Sequence, residues 1–224
     1  MPDDPRTAPP RPEGPRDDHR SVQEFFGTRA AGWDARFPDD ERAYAAAVAR
    51  LGLSRGDTVL DAGCGTGRAL PPLRSAVGDR GTVLGVDLTP EMLAAATTAG
   101  RDQWALLLLA DVSRLPLVHA SLDAVFAAGL IAHLPQPDVG LRELARVVRP
   151  GGRLALFHPL GRAALAARQG RQIGDDDLRA EPRLNDLLAA SGWRMTSYED
   201  QDARFLVLAI RQNQHPRDRR GGIG

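Results

Sequence analysis

A chain of 224 residues with 42% hydrophobic residues can bury one sizeable core, and its 29 basic and 29 acidic residues cancel to a formal net charge of zero. That balance lacks the basic excess that polyanion binders carry, so nucleic acid is not an expected partner. The single Cys64 rules out an internal disulfide and fits a reducing compartment, and all 29 basic residues are arginine, which reads as the codon bias of a GC-rich bacterial genome.

Residues 1–20, MPDDPRTAPPRPEGPRDDHR, hold six prolines and five acids and are too polar to form a core, so a disordered tail is expected there. No stretch in it resembles the apolar region of a signal peptide, and the run around Leu106 to Leu109 is far too short to span a bilayer. The expectation is a cytoplasmic protein that does not engage a membrane, with one domain over residues 21–211 and a frayed polar tail over 212–224. Val22 to Phe37 reads as a short amphipathic lead-in, and a helix is expected from about Asp40 to Leu51, with Tyr44, Val48 and Leu51 at helical spacing and Gly52 as its stop.

Thr58 to Gly67, TVLDAGCGTG, is a short β-forming run closed by Asp61 and followed by Gly63, Gly65 and Gly67 at alternate positions. Glycines there let a strand-to-helix turn press its backbone against a ligand before a helix opens. Pro71 and Pro72 fall where that helix should be running, so it is expected to start late or kink. Thr82 to Val86 is a second strand, ending at Asp87 about 20 residues beyond the last glycine, and Thr89-Pro90-Glu91 reads as the N-cap and first turn of the next helix. A third apolar run, Ala105 to Ala110, ends at Asp111. Strand four is read at Ser121 to Ala128, a helix at Leu141 to Val148 stopped by Pro150-Gly151-Gly152, and strand five at Arg153 to Phe157. Leu160 to Arg179 interrupts the alternation, as lids and substrate walls do. Glu181 to Ser191 is a last helix, before an antiparallel pair at Trp193 to Tyr198 and Arg204 to Ile210.

This alternation predicts an α/β fold, a Rossmann-like doubly wound sheet of seven strands, mostly parallel with an antiparallel closing strand. It lines Asp61, Asp87 and Asp111 along the carboxyl edge, where open α/β sheets bind ligands. A carboxylate at Asp87 can accept from two adjacent ribose hydroxyls, an N-cap-side acid or a solvated strand end being the other readings, and one at Asp111 suits an adenine amino group, with the Val112 N–H reaching a ring nitrogen. Asp61 is read as holding either the turn or a cofactor ammonium. His133 follows strand four at the same edge and titrates near neutrality, so it is the candidate general base; packing or capping its loop is the other reading. His158, which ends strand five, either lines the pocket or is structural. Asp175, Asp176 and Asp177 are adjacent and point apart, so no metal is expected there. A nicotinamide dehydrogenase would need G-x-G-x-x-G/A, whose last position here is Arg68.

VLDAGCGTG, GVDLTPEML, ADVSRLPL and LRELARVVRPGGRLAL resemble, in this order, the motifs of the class I S-adenosylmethionine-dependent methyltransferases, in particular the ubiquinone and menaquinone methyltransferase group. The resemblance spans about Val22 to Ile210. It implies S-adenosyl-L-methionine as cofactor and in-line methyl transfer to a small-molecule acceptor by a monomer or homodimer. It assigns Trp33, Asp61, Gly63, Gly65, Gly67, Asp87, Leu88, Met92, Asp111, Val112 and Ala128 to the cofactor, with Trp33 and Asp34 helping to close the cavity. His133 matches the second histidine of a His-His-Leu pattern whose first position is Ala132.

Overall fold

The computed structural model describes residues 19–36, 40–174 and 177–213. Seven strands form one sheet: β1 (Thr58–Ala62), β2 (Thr82–Asp87), β3 (Leu106–Leu109), β4 (Leu122–Ala128), β5 (Val148–His158), β6 (Trp193–Gln201) and β7 (Arg204–Arg211). Their order is β3-β2-β1-β4-β5-β7-β6, parallel from β3 to β5 and antiparallel where β7 joins β5 and β6. The order reverses between β1 and β4, so a crevice opens at their carboxyl ends.

The sheet is covered on both faces because its central strands are apolar on both. Leu60, Val125, Leu154 and Val207 face a core closed by α5 (Pro137–Val147) and α7 (Glu181–Ala190). Val59, Phe126, Ala155 and Leu206 face another, closed by α2 (Glu41–Leu51) and α3 (Leu70–Val77). Trp193 is fully buried, and its indole N–H donates to the Leu141 carbonyl at 2.9 Å, which satisfies its one polar atom.

Several boundaries differ from the sequence reading, each for a local reason. A helix, α1 (His19–Gly27), begins inside the stretch assigned to the tail: its amphipathic run buries Val22, and His19 meets Asp111. The rest of that tail, residues 1–18, lies outside the described residues, as do Asp175, Asp176 and residues 214–224. As expected from the prolines, α3 begins only at Leu70, so that Pro71 and Pro72 fall in its first turn, where no N–H partner is lost. By contrast, α5 starts at Pro137, four residues earlier than expected. The Pro150-Gly151-Gly152 stop is absorbed into β5 as an irregularity: the register with β4 shifts between Leu122 and Ala124. The four leucines of β3 form an edge strand, with Leu106 and Leu109 exposed. Within the interrupting segment lies α6 (Arg162–Arg168). Among the described residues, no helix is long and apolar enough to cross a membrane, and no group of acids, histidines or cysteines is placed to hold a metal.

Candidate functional site

A cavity of about 330 Å³ opens at the carboxyl ends of β1, β2, β4 and β5. Its floor is the glycine turn. Gly63, Gly65 and Gly67 have φ of 69°, 55° and 81°, the left-handed region that a side chain would strain. Gly63 and Gly65 line the cavity. Gly67 is not among the lining residues; an added Cβ there would sit 2.8 Å from Leu70 Cδ1, so it allows the turn to pack against α3.

The two acids nearest the turn divide the work differently from the sequence reading. Asp87 is the one that holds the turn: one carboxylate oxygen accepts from the Gly65 N–H at 2.8 Å and the other from the Thr89 N–H at 2.8 Å. The helix that follows, α4 (Pro90–Thr98), therefore takes its N-terminal support from Asp87, and the Thr89 side chain makes no cap bond. Burial pushes the Asp87 carboxyl up, against the opposing pull of those two N–H groups. Asp61, by contrast, is 1% exposed, and neither of its oxygens has a hydrogen-bond partner. It does not hold the turn. Burial and the neighbouring charge of Asp87 push its carboxyl up to about 8. An orphaned buried carboxylate of this kind is expensive, and a cationic ligand group beside it would remove the cost.

Above the turn lies a cap formed by the N-terminal segment. Asp34 meets Arg101 at 2.6 Å and Arg68 at 3.3 Å, and accepts from the Thr66 hydroxyl at 2.7 Å; Arg68 also meets Asp40 at 3.2 Å. Arg68 is buried, so these are short, poorly screened pairs that fasten the cap to the turn. The Gln23 side-chain amide donates to the Leu88 carbonyl at 2.9 Å, and His19 Nδ1 lies 3.4 Å from Asp111 Oδ2. The other Asp111 oxygen takes the Ser113 N–H at 2.7 Å. Phe26 packs against Trp33 with tilted rings 5.5 Å apart and edge-on against His133 at 4.8 Å, so the cap and the loop after β4 meet over the cavity.

All the other residues assigned from sequence reach this cavity: Trp33, Asp61, Asp87, Leu88, Met92, Asp111, Val112, Ala128 and His133 line it together. His158 lines it as well, with Nδ1 2.9 Å from the Leu160 carbonyl and 3.0 Å from the Leu160 N–H. Burial, and secondarily Arg179 and Arg168, hold its imidazole down to about 4, so it is neutral at physiological pH. Residues missed from sequence are Phe25, Phe26, Tyr44, Arg68 and three arginines of the interrupting segment, Arg168, Arg171 and Arg179. Tyr44 was legible only as a core position of α2; in the fold, burial and the charge of Asp61 push its phenol up. Arg68 was read as a mismatch to a dinucleotide fingerprint, and its partners Asp34 and Asp40 lie too far away in sequence to be inferred.

The crevice at the strand-order reversal, the glycine turn and the three strand-end acids are arranged as in the Rossmann-like fold of class I S-adenosylmethionine-dependent methyltransferases. Residues 60–156 match the family described as a methyltransferase domain, and the chain carries a domain of that family. It is similar to 27-O-demethylrifamycin SV methyltransferase of Amycolatopsis mediterranei, 37% identical over 110 residues, which are 47% of this chain and 40% of that protein. It is also similar to the ubiquinone/menaquinone biosynthesis C-methyltransferase UbiE of Syntrophotalea carbinolica, 39% identical over 126 residues, 54% of this chain and 52% of that protein. The chain thus spans about half or less of the length of these relatives. Among solved structures, a SAM-dependent methyltransferase from Aquifex aeolicus superposes with a TM-score of 0.63 at 24% identity, covering 87% of this chain and 99% of that one.

The residues present fit the cofactor. Asp61 is an unpartnered acceptor for a cation, the Gly63 to Gly65 backbone is open to close approach, and Asp87 and Asp111 stand where strands β2 and β3 end.

Proposed function

We propose that the protein transfers a methyl group from S-adenosylmethionine to a small-molecule acceptor. The observation that carries this reading is Asp61, a buried carboxylate with no protein partner, aimed into a cavity beside a glycine turn. The cofactor, when bound, supplies an electrophilic methyl on a sulfonium that is already a good leaving group. What remains for the protein is binding, alignment and exclusion of water. Asp61 holds the ammonium, Asp87 accepts from the ribose hydroxyls with the lone pairs left by Gly65 and Thr89, and Asp111 with the Val112 N–H reads the adenine edge. Phe26 and Trp33 cover the cavity and keep water out. His133, which lines the cavity and packs edge-on against Phe26, takes a proton from an acceptor hydroxyl in this reading.

The similarity to a 27-O-demethylrifamycin SV methyltransferase and to a C-methyltransferase of ubiquinone/menaquinone biosynthesis supports a small organic acceptor. Calorimetry with S-adenosylmethionine and, in parallel, NAD tests the cofactor. Saturable binding of the first alone is expected, and binding of NAD alone would replace the reading with a dehydrogenase. Incubation with S-adenosylmethionine and a small-molecule library, read as a mass gain of one methyl, then identifies the acceptor.

A further inference from the structure

The acids that line the cavity and the arginines of the 160–179 segment come from different elements. Every acid that lines the cavity among the described residues, namely Asp40, Asp61, Asp87 and Asp111, stands on the side of the glycine turn, the cap and strands β1 to β3. The 160–179 segment lines the cavity with Arg168, Arg171 and Arg179 and, among its described residues, with no acid. Asp177 sits outside the lining; it meets Arg179 at 3.3 Å and Arg162 at 3.8 Å. Even so, the field of this wall reaches inward, since Arg179 and Arg168 both act on His158. The guanidinium of Arg171 hydrogen-bonds the neutral side-chain oxygen of Gln169. The wall is held in place, because the Tyr198 hydroxyl donates to the Arg179 carbonyl at 3.0 Å and Arg162 pairs with Asp200 at 2.9 Å. The lining also includes the apolar side chains of Leu160, Leu165 and Phe205.

Arg68, which also lines the cavity, is taken up by Asp34 and Asp40, so the two walls differ in the groups they offer a ligand, carboxyls on one and guanidiniums on the other. Carboxylates suit a cation and hydroxyl donors, whereas forked guanidiniums suit an oxyanion, which they bind through paired, charge-assisted hydrogen bonds. We propose that the second ligand, the methyl acceptor, is an amphipathic anion: its carboxylate or phosphate lies against Arg168, Arg171 and Arg179, and its apolar body against Leu160, Leu165 and Phe205. Calling it the acceptor rests on the methyl-transfer reading, but the site for an apolar anion does not.

The test uses the full chain and three probes of equal apolar length, octanoate, octyl phosphate and 1-octanol, titrated calorimetrically with and without saturating S-adenosylhomocysteine. At least one anion should bind about tenfold more tightly than octanol, the order expected of one charge-assisted hydrogen bond, and which anion leads distinguishes a carboxylate from a phosphate head group. The triple variant Arg168→Gln, Arg171→Gln, Arg179→Gln should lose that preference while keeping its affinity for S-adenosylhomocysteine and for octanol. Anions that bind no more tightly than octanol, or a preference that survives in the triple variant, overturn the proposal. Failure of S-adenosylhomocysteine to bind removes the methyl-transfer reading instead, and the anion comparison on the free protein still decides the site.

Discussion

The two halves of the cavity are built by different means. On the cofactor side the chemical groups stand at the ends of β1, β2 and β3, and sheet register places them: Asp61 pairs with Gly85, and Asp87 with Leu109, in neighbouring parallel strands. On the loop side the groups come from the loop after β4 and from the 160–179 segment, where side-chain tethers such as Tyr198 to Arg179 set the positions. Register is a property of the whole sheet and tolerates changes in any one contact. Tethers are local, so that wall can change its occupant without changing the fold. The difference teaches which half a mutation will damage in which way: changes on the sheet side should strike cofactor affinity and stability together, and changes on the loop side should strike turnover or acceptor affinity alone.

The largest effect should be on the loop side. With the true acceptor, His133→Ala should lower kcat by roughly 10² to 10⁴-fold while the Kd for S-adenosylmethionine stays unchanged. A loss confined to KM would make His133 a residue that shapes the pocket. On the sheet side, Asp87→Ala should weaken S-adenosylmethionine binding by ~1.5 to 3 kcal/mol, because ribose hydroxyls lose a charged acceptor. It should also lower the Tm, since the Gly65 and Thr89 N–H groups lose theirs. Cofactor affinity falling with no change in Tm would break the link between turn and binding.

Asp61 should show the opposite coupling. Its folded-state pKa is raised from 3.8 to about 8, so the folded state holds a proton that the unfolded state releases. Stability from this group is therefore fully present below pH 3.8 and is lost as pH rises through about 8. Asp61→Asn, which cannot ionise, should raise the Tm of the ligand-free protein by several degrees at pH 8 and hardly at all at pH 4, and it should bind the cofactor poorly. Equal Tm values at pH 8 would mean that Asp61 carries no such burden. The smallest effect should come from truncation. Removing residues 1–18 should leave the Tm and the cofactor Kd unchanged, because the cap contacts from His19 onward are retained. Extending the deletion through Gly27 removes Gln23, Phe25 and Phe26 and should weaken binding.

The same contrast explains what could be read from the sequence. Strands at the sheet centre are apolar on both faces and end in acids or glycines, so the sheet, its closing antiparallel pair and the carboxyl-edge residues were legible from pattern alone. The roles of Asp61 and Asp87 were not separable, because which acid meets the turn depends on the Gly65 N–H pointing across to β2, not along β1. Gly67 looked equivalent to Gly63 and Gly65, and its close packing against Leu70 could not be read from the glycine spacing. The cap was illegible for a different reason: Asp34 finds Arg68 and Arg101 over separations of more than thirty residues, and no local periodicity announces such pairs. The arginine wall likewise has no repeat or motif, only a segment long enough to be noticed.

The central claim is that Asp61 is the counter-charge for the cofactor's ammonium, and proton release on binding tests it most directly. At pH 6.5 the free protein carries Asp61 protonated, so binding of S-adenosylmethionine, by favouring the carboxylate, should expel close to one proton. Calorimetric titrations in buffers of different ionisation enthalpy measure that number. The account predicts nearly one proton released by the wild-type protein and none by Asp61→Asn, whose affinity should fall at least tenfold. Tight binding with no proton released, or equal affinity in the variant, would contradict it.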